Sequence, residues 1–515
     1  MTAALPAVYL AHNASTAKLS AMSFNLLCPS AFERKLIAKP LIANVLLLVL
    51  YAAVTWFTAV HHEPWCDEAD PWLLARDENF FNIVSRTGYI GSPALWYLFL
   101  VPFAKAGLPY FAMTAANLLI ALATAAIIIF CAPFSFLLRA LICFSYLFVY
   151  EYSVIARSYG ISVLSIVALA ALYHRQKRIG LLAAVLIAVL ANTNVHGMLV
   201  AMSITAAYLL TNWRQKAKML LPFLVSSLGI LIGILQVRPP ADGQFPPTVS
   251  FNILAHPVLN TFKGAFFPDP ATSLDHGVCA PMFSASVLLI MKVLAFATIF
   301  LIVKRLWSNR FALLTFLFSY TGLFLLFAIK YFGSVRHWGF YLLVALYCLW
   351  IDDSREEKTA TPRLDSVLSL ALLLSLIYSS AVGIYACVIE YQRPFSAGEE
   401  TVQVLRTLDL KNDPVVCSPN VGLTVLPYLP DLKLFYPNLN QFGTHALWNR
   451  PEKRVLTTDE LCQIIDARFG KDKKLYLLTD KESPELAQRG YKLLYRNTQP
   501  PITSTETFVI YVRNQ

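Results

Sequence analysis

The chain has 515 residues, of which 57% are hydrophobic and 14% are charged, and its mean hydropathy is +0.56. A soluble globular protein carries about 25% charged residues, so the composition excludes that class and indicates a polytopic membrane protein. The net charge of +11 would suit a nucleic-acid binder. However, lysines and arginines occur in short clusters between apolar runs, as topology determinants do, and we expect no nucleic-acid partner.

The region 41–391 is interpreted as a transmembrane domain, and residues 1–40, which have no signal-peptide pattern, as a cytoplasmic N-terminal segment. A bilayer core of about 30 Å needs about 20 apolar residues per helix, so the apolar runs predict about eleven transmembrane helices. The predicted spans are 41–60, 109–130, 135–150, 158–173, 179–192, 197–212, 218–236, 283–303, 311–330, 338–351 and 366–390. The shorter apolar run 94–104 is predicted to lie at the membrane interface or to be re-entrant.

Basic clusters orient the predicted bundle. They lie at 34–39, 174–178, 212–218 and 304–310, all on the side of the N-terminus. Such clusters mark the cytoplasmic side of a membrane. An odd number of spans then places residues 392–515 outside, together with two long loops, 61–108 and 237–282. The second loop is predicted to act as a lid or as an acceptor-binding element.

The C-terminal segment 392–515 differs in composition from the spans. Ser396 with Glu399, and Thr457 with Glu460, have the spacing of a capping box at the start of a helix. Strand-like runs surround them, namely "PVVCS", "KLYLLT", "YKLLY" and "TFVIYV". Helices that alternate with such runs predict a small extracytoplasmic α/β domain.

The nine cysteines are scattered without a CxxC pair, so neither a zinc site nor a redox motif is indicated. Cys417 and Cys462 both fall in the C-terminal segment. They could form a disulfide, but the sequence leaves this open.

The first predicted external loop begins with "HHEPWCDEADPWLLARD" (61–77). Asp67 and Glu68 stand where a helix is predicted to start, since acids are favoured there and Pro71 is tolerated in a first turn. Two adjacent carboxylates cannot face the same way on a helix. One could therefore face a reacting group while the other caps the helix or binds a cation. The alternative is a capped helix in an interfacial loop that tryptophans anchor at the lipid headgroups.

The motifs "HEPWCDEADPWLLARD", "GSPALWY", "YEYSVIARSYG", "NTNVHG" and "RHWGF" follow one another within residues 41–351. In that order they resemble the GT-C glycosyltransferases, in the branch of the protein O-mannosyltransferases and the lipid A aminoarabinose transferase. They are most similar to a bacterial group of that superfamily whose substrates are not assigned. The resemblance implies a multi-pass protein of the bacterial inner membrane. It also implies a sugar donor on a polyprenyl phosphate and a lipid, glycan or protein acceptor.

The resemblance also implies roles for the acidic pair. Asp67 would be the catalytic base that deprotonates the acceptor, which then attacks the anomeric carbon with inversion. Glu68 would orient Asp67 or hold a cation. No cofactor is otherwise implied, and the cation would be a divalent one such as Mg²⁺ or Mn²⁺.

The leaving phosphate needs positive charge or hydrogen-bond donors around it. The candidates for binding the donor phosphate or sugar are Arg76, Glu151, Arg157, His196, Lys292, Arg336, His337 and Trp338. Each has a structural alternative: an interfacial arginine can reach a headgroup, His196 can be a polar helix end, and Lys292 can extend towards the interface.

Departures from the pattern of the resembled families keep other functions open. Tyr159 stands where the lipid A enzymes have an aspartate, and Ile90 and Ser92 stand where an acid and a histidine are common. An inactive scaffold that presents the C-terminal domain is therefore one alternative. A transporter is another, but it would place charges near the middle of its spans and show internal repeats. Apart from Lys292, the polar groups gather at the predicted external ends, which favours an enzyme.

Overall fold

The computed structural model describes residues 26–27, 39–243, 258–269, 283–353, 362–452 and 454–513. Most of the predicted cytoplasmic segment 1–40 and most of the predicted loop 237–282 lie outside these described residues.

Helices make up the membrane region of the described chain. In chain order they are α1 (Pro40–Ala59), α2 (Cys66–Asp77), α3 (Phe80–Ile90), α4 (Leu95–Lys105), α5 (Phe111–Cys131), α6 (Phe136–Phe144), α7 (Tyr159–Gln176), α8 (Leu181–Ala191), α9 (Val195–Asn212), α10 (Lys216–Gln236), α11 (Asn260–Phe266), α12 (Ala285–Leu306), α13 (Arg310–Ile329), α14 (Val335–Asp353) and α15 (Pro362–Gln392). A π-helical turn, Leu147–Glu151, follows α6.

Among the described helices, seven are long and apolar enough to cross a membrane: α1, α5, α9, α10, α12, α13 and α15. Seven of the eleven predicted spans fall on these helices, which confirms a polytopic membrane protein. The other four predicted spans coincide with α6, α7, α8 and α14. Of these, α6 and α8 have only nine and eleven residues, and α14 carries Arg336 in its first turn and ends in two aspartates.

Two helices place the polar residues discussed below. Helix α14 lies in the centre of the bundle, where it packs on α7, α11 and α13, and its residues from 338 to 352 are all buried. Helix α15 has 31 residues and is therefore about 46 Å long, which exceeds a bilayer core of about 30 Å. Its last turns carry the buried Glu390 beside the loop that follows α1.

The C-terminal region forms one mixed sheet with helices on it. The strands are β1 (Val415–Cys417), β2 (Leu434–Tyr436), β3 (Gln441–Gly443), β4 (Leu475–Thr479), β5 (Tyr491–Arg496) and β6 (Val509–Arg513), and the helices are α16 (Gly398–Leu405), α17 (Pro419–Val425), α18 (Thr458–Phe469) and α19 (Pro484–Gln488). The strand order is β3-β2-β1-β4-β6-β5, in which β2, β1 and β4 are parallel and the other neighbours antiparallel. The predicted α/β fold is confirmed.

One of the two predicted capping boxes forms. Thr457 Oγ1 accepts the backbone N–H of Glu460 at 3.2 Å, and the Glu460 carboxylate accepts the N–H of Thr457 at 2.9 Å. The box predicted from Ser396 and Glu399 is wrong. The Ser396 hydroxyl donates to the buried carboxylate of Glu506 at 3.0 Å instead, and α16 begins at Gly398 without a side-chain cap.

The two faces of the sheet bury different partners. One face, which includes Cys417, packs on α2 and α4 through side chains such as Trp72 and Trp96. The other face is covered by α18, which carries Cys462. Both cysteines are free thiols in separate apolar clusters, so they do not form a disulfide. The C-terminal sheet is therefore docked on the helix that carries the acidic pair.

Candidate active site

The acidic pair lies in the first turn of α2, and its two carboxylates diverge. Successive residues of a helix point about 100° apart. Glu68 faces inward and its side chain is fully buried, whereas the side chain of Asp67 is 33% exposed. Glu68 also accepts the backbone N–H of Trp65, the residue that caps α2, at 3.4 Å. Glu68, the buried member of the pair, thus stabilises the start of the helix, and Asp67 remains accessible.

Glu68 is the centre of a buried polar chain. One of its oxygens accepts the backbone N–H of Ala156 at 2.6 Å, and the other accepts His62 Nε2 at 2.8 Å. His62 Nδ1 contacts Glu390, which also accepts the Tyr150 hydroxyl at 3.2 Å. Burial alone would lower the pKa of His62, but the two flanking carboxylates together raise this pKa to about 10. His62 is therefore an imidazolium that links the loop after α1 to the end of α15.

Two guanidinium groups converge on Asp67. Arg157 forms an ion pair with its carboxylate, and Arg336 Nη1 lies 3.7 Å from the same oxygen. Arg336 Nε also lies 3.2 Å from a carboxylate oxygen of Glu151, and its guanidinium lies 5.2 Å from the centre of the Trp65 ring. Burial would lower the pKa of Arg157, but the neighbouring Asp67 raises it. Asp67 thus combines access from outside with two adjacent cations.

A non-helical segment between the π-helical turn and α7 brings Arg157 to this place. The Tyr152 hydroxyl donates to the carbonyl of Arg336 at 2.7 Å, which ties the segment to the start of α14. The buried amide of Asn117 on α5 donates to the carbonyls of Ser153 at 2.8 Å and Ile155 at 3.3 Å. Backbone groups that would be left without partners outside a helix are satisfied in this way.

A pair of histidines continues the polar surface beyond the arginines. The rings of His196 and His337 are stacked, with centroids 4.8 Å apart. His196 Nε2 lies 2.8 Å from the Tyr331 hydroxyl, and His337 Nε2 lies 2.8 Å from the Tyr159 hydroxyl. The guanidinium of Arg157 lies 5.7 Å from the Tyr159 ring. These imidazole and phenol groups offer hydrogen bonds beside the positive charge.

The structure brings together Asp67, Glu68, Glu151, Arg157, Arg336, His337 and His196. It does not add the other three candidates to this cluster. Arg76, at the far end of α2, donates to the carbonyl of Leu426 at 3.1 Å. Lys292 lies about two turns into α12, and the ring of Trp338 packs on Gly264 while its Nε1 donates to a backbone carbonyl.

The cluster also contains residues that the sequence did not single out as site members. They are His62, Asn117, Tyr150 and Glu390. Glu390 carried a detectable signal, because an ionisable residue near the end of a span is expensive to bury and often functional. Asn117 inside an apolar span was a weaker signal of the same kind.

The C-terminal domain contacts α2 along its length. The carboxylate of Glu506 accepts the N–H of Cys66 at 3.3 Å, and Trp448 Nε1 donates to Asp70 at 2.8 Å. Asp70 lies one turn after Asp67 and is buried, and this burial raises its pKa to about 7. With the contact of Arg76, the domain therefore holds the start, the middle and the end of this helix.

The predicted cation site can be tested against the donor atoms. Within the part of the chain that the structure describes, no group of three or more His, Cys, Asp or Glu residues is arranged to hold a metal ion. Both oxygens of Glu68 already accept N–H groups, from Ala156 and from His62. This arrangement suits the orienting role of Glu68 better than a role as a cation ligand.

The fold resembles that of a known membrane protein. The crystal structure of ArnT from Cupriavidus metallidurans bound to undecaprenyl phosphate matches with a TM-score of 0.51 and 13% identity, over 91% of this chain and 98% of that chain. The apo-state crystal structure of ArnT from Cupriavidus metallidurans matches with a TM-score of 0.49 and 12% identity, over 91% and 97%. No protein-family model and no curated protein matches the sequence. The first likeness shows a shared fold over nearly the whole chain.

Proposed function

We propose that this protein is an inverting glycosyltransferase that moves a sugar from a polyprenyl phosphate to an acceptor at the outer face of a bacterial inner membrane. One observation carries the proposal: the accessible carboxylate of Asp67 lies beside the guanidinium groups of Arg157 and Arg336. A base next to phosphate-binding cations is what this reaction needs. The shared fold supports it, because the ArnT crystal structure contains undecaprenyl phosphate.

The same proposal assigns the two parts of the chain. Residues 41–391 form the catalytic transmembrane unit, and residues 392–515 form an extracytoplasmic domain on its outer side, with the N-terminus in the cytoplasm. The boundary is supported by the end of α15 at Gln392 and by the start of the α/β region with α16. The basic clusters in the sequence support the orientation.

The reaction transfers one proton and exchanges one bond. Asp67 takes the proton of the acceptor hydroxyl or amine, and the acceptor attacks the anomeric carbon on the face opposite the phosphate. The bond from that carbon to the phosphate oxygen breaks. The lipid phosphate leaves with the electron pair and needs no proton, so no second acid is required. Arg157 and Arg336 stabilise the charge that develops on it.

The ion pairs of Asp67 suggest an order of events. Before the donor binds, Arg157 forms an ion pair with the Asp67 carboxylate, and Arg336 Nη1 lies 3.7 Å from the same oxygen. A phosphate competes for the same guanidinium groups, which bind phosphate in paired geometry. When the phosphate takes these contacts, the Asp67 carboxylate is released from both arginines. The donor therefore frees Asp67 for contact with the acceptor before the acceptor reacts.

The test measures the release of undecaprenyl phosphate by the full-length protein in nanodiscs. A panel of undecaprenyl-phosphate sugars is supplied, with an extract of envelope lipids and glycans as the source of acceptor. We expect turnover by the natural protein and a loss of about 10²- to 10⁴-fold in Asp67→Asn. Asp77→Asn is the matched control, because it lies at the opposite end of the same helix, 21% exposed.

The control should keep the activity of the natural protein. Equal release by the natural protein and Asp67→Asn would remove Asp67 from its role. An absence of both binding and turnover across the panel would instead favour the scaffold or transporter alternatives.

A further inference from the structure

A crevice with both polar and apolar walls lies in the C-terminal domain, away from Asp67. It has a volume of about 360 Å³, and its walls include Ser418, Asn438, Glu452, Thr479 and Asp480. Ser418 follows β1 directly, Thr479 ends β4, and Asn438 lies just after β2, so the crevice opens at the carboxyl ends of the three parallel strands. Strand β1 lies between β2 and β4, so the chain continues on one side of β1 with β2 and later adds β4 on the other side. Open α/β sheets bind their ligands at such a point.

The lining chemistry fits a saccharide. Hydroxyls of Ser418 and Thr479, the amide oxygen of Asn438 and the exposed carboxylate of Asp480 can exchange hydrogen bonds with sugar hydroxyls. Apolar side chains such as Leu461 lie in the same wall and offer contact to the C–H face of a sugar ring. The crevice thus combines a polar edge with an apolar surface.

A nucleotide fits this crevice less well. Nucleotide sites at the same position of an α/β sheet use a glycine-rich turn after the first strand, whereas the turn after β1 reads "SPN". The arginine in the lining, Arg454, already forms an ion pair with Glu460. The positive charge available to a phosphate chain is therefore partly neutralised.

A chain of hydrogen bonds leads from the crevice wall to α2. The amide of Asn438 donates to the carbonyls of Glu452 at 2.8 Å and of Arg454 at 2.6 Å. The carboxylate of Glu452 accepts the backbone N–H of Trp448. Trp448 has a φ of 58°, a left-handed conformation that is rare for a tryptophan, and its Nε1 donates to Asp70. A residue held in this strained conformation by the crevice wall thus contacts the helix of Asp67.

We infer that the crevice binds a saccharide and that Glu452 and Trp448 transmit this binding to α2. The binding itself is independent of the proposed transfer reaction. The role that we assign to this binding rests on the proposed function. The bound saccharide is then the acceptor glycan, which the C-terminal domain holds while α2 positions Asp67.

The first experiment measures binding to the full-length protein in nanodiscs by isothermal titration. The probes are N,N′,N″-triacetylchitotriose, maltotriose and trigalacturonate. We expect at least one to bind, and we expect Asp480→Asn and Asn438→Ala to weaken its binding about tenfold. Asp431→Asn, an exposed change before the amino end of β2, is the control and should not alter binding. No binding by any probe, or equal binding by both crevice variants and the natural protein, would overturn the site.

The second experiment measures hydrogen–deuterium exchange of Cys66–Asp77 with and without the bound saccharide. Exchange in α2 should slow in the natural protein. Trp448→Phe keeps an aromatic ring but loses the indole N–H that Asp70 accepts, so it should bind the saccharide and show no change in α2. If the bound saccharide does not change the hydrogen–deuterium exchange of α2 in the natural protein, the inference that binding is transmitted to α2 is overturned. Neither measurement uses the lipid donor, so a protein that binds saccharide but never releases undecaprenyl phosphate would refute the transfer reaction alone.

Discussion

The backbone N–H of Ala156 donates a hydrogen bond of 2.6 Å to the buried carboxylate of Glu68. This bond fixes the non-helical segment before α7 against the first turn of α2. The next residue along that segment, Arg157, is thereby placed at the carboxylate of Asp67. The two adjacent acids of α2 therefore have different roles. Glu68 positions the guanidinium of Arg157, and Asp67 forms an ion pair with it.

Arg157 should contribute strongly to donor affinity. We expect Arg157→Gln to weaken the binding of undecaprenyl phosphate by about 10- to 100-fold, because a charge-assisted hydrogen bond contributes about 1.5–3 kcal/mol. Titration of the lipid into the protein in nanodiscs measures this. Arg175→Gln is the control, because Arg175 is exposed in the last turn of the helix that Arg157 precedes. An equal loss of affinity in both variants would mean that general charge, and not this site, attracts the lipid.

Glu68 should be needed for stability as well as for position. Glu68→Gln leaves the buried His62 imidazolium with one carboxylate, and breaking a buried ion pair in this way costs about 3–5 kcal/mol of unfolding free energy. Thermal unfolding of the protein in detergent measures the loss. Asp459→Asn breaks an exposed pair with Arg489, and such a pair contributes at most about 1 kcal/mol. Similar melting temperatures for the two variants would contradict the buried, charged assignment of His62.

Close packing at Gly339 should hold the arginine cluster in place. A Cβ atom at this position would lie 2.3 Å from the Tyr152 hydroxyl oxygen, the group that donates to the carbonyl of Arg336. We expect Gly339→Ala to cost about 1–3 kcal/mol of stability by overpacking and to weaken undecaprenyl phosphate binding. Gly322→Ala on α13 is the matched control, because its nearest neighbour would be 3.6 Å away. That change should be neutral or stabilising, since alanine favours a helix.

Much of the fold could be predicted from the sequence, because a bilayer imposes a length and an apolar composition on each helix that crosses it. Local sequence patterns also predicted the structure correctly where no distant residue competes for the same hydrogen bonds. Thr457 and Glu460 form their predicted capping box on an exposed helix start. Asp67 was identified from the adjacent acidic pair and the family resemblance, and Arg157 as a positive charge that could bind the leaving phosphate.

The remaining features depend on contacts between distant parts of the chain. Strands β2 and β3 have three residues each, too few to show an alternating pattern, and they form because β2 pairs with β1 and β3 pairs with β2. His62 meets Glu390 across 328 positions, and Asp70 meets Trp448 across 378. Ser396 loses its predicted cap for the same reason, because Glu506, 110 residues later, binds its hydroxyl.

The buried Asp70 makes the docking of the C-terminal domain dependent on pH. Burial raises the pKa of Asp70 from 3.8 to about 7, so the docked structure binds this proton more tightly than the unfolded chain does. The stability that this group contributes is therefore fully present below about pH 4 and is lost as the pH rises to about 7, by at most about 1.4 kcal/mol per pH unit. His62 acts in the same direction but in a higher window, because its pKa is raised from 6.5 to about 10.

Asp70→Asn separates these two contributions. An asparagine stays uncharged, and its carbonyl oxygen can still accept the N–H of Trp448. The melting temperature of the natural protein should fall more steeply between pH 5 and pH 7 than that of Asp70→Asn, which keeps only the smaller fall due to Glu63, whose burial raises its pKa from 4.5 to about 8. Above pH 7, both proteins should lose stability together as the pH rises towards the raised pKa of His62. Parallel curves for the two proteins between pH 5 and pH 7 would show that Asp70 is ionised in the docked structure, and would remove it as the pH-sensitive contact with Trp448.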